Sequence, residues 1–97
     1  MKHLKLMNEF CCWPIWNIDP EEYGNINPTT LPISVELQER LLEWARTYDA
    51  IFNGDDPANS AFPTVSEEVE FKHEGYLLAE ALKNELGEDY EVETRII

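Results

Sequence analysis

Apolar and polar positions alternate at both ends of the chain. In Lys2 to Phe10, KHLKLMNEF, Leu4 and Leu6 fall on one side and His3, Lys5 and Met7 on the other. In the closing EDYEVETRII, Tyr90, Val92, Thr94 and Ile96 share one face, with Glu91, Glu93 and Arg95 on the opposite one. A sustained period of two predicts strands buried on one side. Between them, two segments repeat at the helical period. Leu37, Leu41, Trp44, Ala45, Tyr48 and Phe52 form one stripe, with Ser34 as its N-cap and Asn53–Gly54 as its stop. Its wet face predicts local pairs, Glu36 with Arg40 and Glu39 and Glu43 with Arg46. Phe71, Gly75, Leu78, Ala79, Leu82 and Leu86 form the second stripe, opened by a Thr64–Glu67 capping box and closed by Gly87. A glycine inside a helix costs about 1 kcal/mol against alanine. Gly75 therefore predicts a close approach, with the first helix as the neighbour.

The stretch CCWPIWNIDPEEYGNINPTTLP, after the first strand, keeps no period and is punctuated by proline. Its Trp13, Ile15, Trp16, Ile18 and Tyr23 predict a long ordered loop lying over the core as an apolar cover. Part of it could add a third strand. The order strand, loop, helix, helix, strand predicts a two-layer α+β fold in one domain spanning residues 1–97. The terminal strands pair in a small sheet, and a two-helix hairpin covers it.

Charge changes the picture more than composition does. Twenty acidic against seven basic residues give a net charge of −13. Repulsion of that size opposes compaction. It also argues against nucleic acid or an anionic membrane as direct partner, since both require basic patches. A basic protein would be attracted and steered. No apolar run approaches the roughly 18 residues that span a bilayer, and the first residues do not read as a signal peptide. Adjacent Cys11 and Cys12 read as free thiols in a reducing cytoplasm.

The side chains that could carry chemistry form no constellation. Cys11, Cys12, His3 and His73 lack zinc-ligand spacing, and Cys11 has no histidine placed beside it by sequence. His73 reads as a half-exposed histidine beside Glu70 and Glu74. In FNGDDPANSAFP, Asp55 and Asp56 lack the alternating oxygen ligands of a calcium loop. An Asx-type turn accounts for them; partner contact is the functional alternative. No metal, cofactor or enzymatic reaction is expected.

Laid out together, KHLKLMNEF, CWPIW, LPISVELQERLLEWARTYD, NGDDPANSAFP and FKHEGYLLAEALKNELGEDYEV resemble a group of small acidic bacterial proteins. Some of these are similar to immunity proteins of contact-dependent growth inhibition and related toxin systems. The resemblance implies a cytosolic, non-enzymatic inhibitor that binds a cognate toxin, often a nuclease, and covers its active site. The resemblance supplies no binding residues; the net charge and the acidic, aromatic-bearing loops nominate Asp55, Asp56, Asp19, Glu21, Glu22, Glu67 and Glu68 as contacts. Trp16, Tyr23 and Phe62 are the candidate anchors. The alternative is a small structural or regulatory homo-oligomer whose acidity serves only solubility.

Overall fold

The computed structural model describes residues 1–56 and 60–96. Four strands and two helices follow in the order β1 (Lys2–Met7), β2 (Ile15–Asn17), β3 (Gly24–Ile26), α1 (Val35–Asp49), α2 (Val65–Leu86) and β4 (Tyr90–Arg95). The sheet order is β3-β2-β1-β4. The terminal strands pair as expected, and they run parallel, with Leu4 opposite Val92 and Leu6 opposite Thr94. A parallel pair requires a crossover, and the two helices supply it.

The proline-rich stretch goes beyond the single added strand that its sequence left open, and it is not a loop covering the core. It extends the sheet with two antiparallel strands, so the sheet has four strands and the apolar residues of this stretch are divided between its faces. Ile15 is fully buried beside Leu6, while Trp13 and Tyr23 are exposed. Each added strand is only three residues long, and side chains complete the pairing. Asn25 Oδ1 accepts from the Trp13 amide, and Asn25 Nδ2 donates to the carbonyls of Trp13 and Ile15. The β1–β2 turn is closed by the Met7 amide donating to the Pro14 carbonyl, which ends β1 at Met7 rather than at Phe10.

Phe10 instead stacks on Tyr48 at 4.2 Å between centroids and leans on Phe52. Cys11 adopts a φ of 61° at this turn, and its amide donates to Asp49 Oδ1 at 2.9 Å. The far end of β1 is thus fastened to the C-terminal end of α1. That helix stops at Asp49, before Phe52, because the Ile51 and Phe52 amides close tighter turns onto Tyr48 and Asp49.

One sheet face, carrying Leu4, Leu6, Ile15 and Val92, packs under Leu37, Leu41 and Trp44 of α1 and Phe71, Leu78, Ala79, Leu82 and Leu86 of α2. Thr94 is exposed, so only part of the predicted β4 face is in the core. The helices are antiparallel, since Ser34 meets Glu85, Arg40 meets Glu74 and Trp44 meets Phe71. Ser34 caps α1 by accepting from the Leu37 amide, and the Glu85 carboxylate accepts from both the amide and the hydroxyl of Ser34. Thr64 caps α2 by accepting from the Glu67 amide.

Gly75 is where the helices close up. A β-carbon there would lie 2.7 Å from Trp44 Cζ2 and would collide with the Ile96 side chain. The close approach predicted from the sequence is therefore made by α1, through Trp44. That indole cannot easily retreat: it stacks on Phe71 at 4.5 Å, and its N–H donates to the Phe71 carbonyl at 2.9 Å.

Candidate functional site

The nominated contact residues fall into two groups, at opposite ends of β1. Asp19, Glu21, Glu22, Trp16 and Tyr23 belong to the β2–β3 hairpin, near the start of β1. Asp19 Oδ2 accepts from the His3 amide, and Asp19 Oδ1 lies 2.7 Å from His3 Nδ1. His3 Nε2 is 3.1 Å from Glu91 on β4. The bond from Asp19 is the main cause of a His3 pKa raised above its ordinary value, and the same bond lowers that of Asp19. Asn17 donates to Glu22 and accepts from the Asp19 amide. Trp16 sits across from Lys5 and Asn25 in the sheet. Its indole N–H is shut off from solvent and has no acceptor among the described residues.

Asp55, Asp56, Phe62, Glu67 and Glu68 lie at the other end, between α1 and the first turns of α2. The Asp55 and Asp56 amides both donate to Asn53 Oδ1 at 3.1 Å, which is the Asx-type turn expected for this pair. Pro57, Ala58 and Asn59 of the same loop lie outside the described residues. Glu68 pairs with Lys72 one turn on. Phe62 is half-buried and packs on Phe71 at 5.1 Å.

At this end a groove of about 720 Å³ opens between the helices. Its apolar lining comes from Trp44, Ala50, Ile51, Phe62, Pro63 and Phe71, and its charged lining from Arg40, Glu43, Glu67, Glu70 and Glu74. Arg40 reaches across to Glu74 at 2.9 Å instead of pairing with Glu36 along its own helix. Glu43 takes Arg46, as predicted. Among the described residues, the carboxylates of Glu67 and Glu70 make no hydrogen bond or ion pair.

Four members of this lining are not nominated by the sequence as contacts: Trp44 reads there as core, Glu43 as wet face of α1, and Glu70 and Glu74 as neighbours of His73. The fold brings them together from two helices. The one sequence signal for the juxtaposition is Gly75, which marks where α2 meets Trp44. Of the groups weighed for catalysis, Cys12 has its thiol pKa raised, mainly by burial and then by Glu9, which favours the unreactive protonated form. Among the described residues no cluster of histidine, cysteine or carboxylate is placed to hold a metal ion. Nor is any described helix long and apolar enough to cross a membrane.

A search of curated proteins finds no match to this chain. A protein-family model, described as Serratia CdiI immunity protein-like, matches residues 2–94. That span takes in β1 to β3, both helices, β4 up to Thr94, and both carboxylate groups. The chain therefore belongs to the Serratia CdiI immunity protein-like family, a family of contact-dependent growth inhibition immunity proteins.

Proposed function

We propose that this chain is a cytoplasmic, non-catalytic inhibitor that neutralises a basic cognate toxin, a nuclease, by laying carboxylates over its active-site surface. The observation that carries this reading is the groove end of the molecule. There, four glutamates surround an apolar lining, and Asp55 and Asp56 lie in the adjoining loop. A nuclease must present cationic groups to hold phosphate, and those groups are what such a surface would occupy. Charges at the rim accelerate encounter, whereas a few apolar or aromatic contacts within it slow dissociation.

The test is co-expression with the C-terminal domain of the protein encoded immediately upstream, followed by pull-down at low and high salt. Co-purification, rescue of cells from that domain, and weakening of the complex with salt are the expected results. Failure of the two chains to associate at any salt concentration would overturn the reading.

One observation favours self-association as a second reading. Val65, Val69, Tyr76 and Leu77 project from α2 with 44–75% of their surface exposed. Sedimentation of the chain alone distinguishes the two, because a toxin inhibitor need not form a dimer.

A further inference from the structure

We infer that the groove between α1 and α2 receives an arginine-bearing segment of the partner toxin, an inference that rests on the toxin-binding reading above. Two features of the groove define its occupant. The first is charge. Four glutamates line it against one arginine, and that arginine is already held by Glu74. Glu43 is taken by Arg46, so the charge left unpaired in the groove is that of Glu67 and Glu70.

These two stand three residues apart on one face of α2, followed by Glu74 four residues later. Like charges at such spacings each destabilise a helix by about 0.2–0.5 kcal/mol. The positive end of α2 favours a carboxylate at Glu67, but neither that nor solubility gives a reason for both acids to line an apolar groove. A cation seated between them relieves the repulsion.

The second feature is the apolar lining. A small hydrated cation gains nothing from Trp44, Phe62 and Phe71, which line the same space. A guanidinium does. It is planar and weakly hydrated, it stacks on aromatic rings, and its fork of donors can bridge two carboxylates. Lysine, a compact and strongly hydrated charge, fits less well. A groove of about 720 Å³ exceeds one side chain and accommodates the arginine together with an apolar neighbour from the same segment.

The probe is N-acetyl-arginine amide, titrated into the intact chain while amide and indole resonances are followed by NMR. Saturable shifts centred on the Trp44 indole N–H, Thr47, Ile51 and Phe62 are expected. The lysine analogue should bind about tenfold more weakly. Glu67→Gln with Glu70→Gln should abolish saturation. Thr47→Trp, which fills the groove from an exposed position, should do the same. Shifts spread evenly over all acidic surfaces, or identical titrations in wild type and both variants, would overturn the inference. Because the probe replaces the toxin, such a failure leaves the toxin-binding reading standing. Failure of the co-expression test with a positive titration would separate them in the opposite sense.

Discussion

Two groups of carboxylates lie at opposite ends of β1, and they differ in what already holds them. Near its start, Asp19 takes a backbone amide and the ring of His3, Glu91 takes the other ring nitrogen, and Glu22 takes Asn17. These acids close the hairpin and tie β1 to its neighbours. Around the groove, Glu67 and Glu70 have their carboxylates uncommitted among the described residues, above an apolar lining whose Trp44 and Phe71 belong to the core. Equal formal charge therefore has different uses at the two ends. Counting acidic residues cannot separate them, whereas asking what each carboxylate already binds does.

The largest effect is expected beneath the groove. Trp44→Ala removes a buried ring, its stack on Phe71 and its bond to the Phe71 carbonyl. Such a truncation costs about 3–5 kcal/mol. Chemical denaturation should show that loss, while toxin affinity at a temperature where the variant stays folded should fall as well. The two losses together would confirm that core and site share this side chain.

Charge reversal at the groove comes next. Glu67→Lys with Glu70→Lys should weaken toxin binding by about a hundredfold, about 2.7 kcal/mol at 25 °C. Both residues are exposed, and Glu67 lies in the first turn of α2, where a lysine meets the positive helix end, so stability should fall by only about 0.3–1 kcal/mol, well short of the loss in binding. Reversing Asp55 and Asp56 should act mainly on the association rate and reduce its salt dependence, a stopped-flow measurement.

Gly75→Ala sharpens the comparison by touching the seam without altering charge. The added methyl meets the fixed Trp44 ring, while Ile96 presents the end of a flexible side chain. Overpacking costs about 1–3 kcal/mol, and alanine returns about 1 kcal/mol of helix propensity. A net loss of about 1 kcal/mol is expected in denaturation, with Gly75→Val costing more.

The smallest effect concerns the committed acids. The His3 pKa is raised above 6.5, so the stability this gives is complete below 6.5 and is lost as pH rises through the folded-state value. The Asp19 pKa is lowered below 3.8, so its share is complete above 3.8 and is lost as pH falls through the lower folded-state value. The pair is at full strength between 3.8 and 6.5. Both groups are partly solvated, so the effect is modest. Asp19→Asn should lower the Tm more at about pH 5 than at about pH 9. Toxin binding should stay unchanged.

What the sequence revealed depended on segment length. The α2 stripe was readable position by position, because a long amphipathic helix repeats its period often enough to fix which residues face in. All six residues of that stripe are buried. β2 and β3 were readable only as a stretch open to adding a strand, without position or number, since three residues cannot show an alternation and Pro14 and Pro20 interrupt the stretch. Their pairing is set by β1 and by the Asn25 side chain, both distant in sequence. The groove was less readable still. Glu67 and Phe62 stood out locally, but Glu43 and Glu74 join them only through the packing of α1 on α2, which brings Arg40 to Glu74. Local pairing rules assign Arg40 to Glu36, and the tertiary contact overrides them.

The most direct test compares two charge reversals of equal size in one binding assay. Glu67→Lys with Glu70→Lys alters the groove end, and Glu21→Lys with Glu22→Lys alters the hairpin end. Each is titrated calorimetrically against the cognate toxin domain at fixed salt. The groove pair should lose about a hundredfold in affinity and the hairpin pair less than about threefold. Equal losses would mean that only net charge matters, and a greater loss at the hairpin would place the toxin at the other end of the molecule.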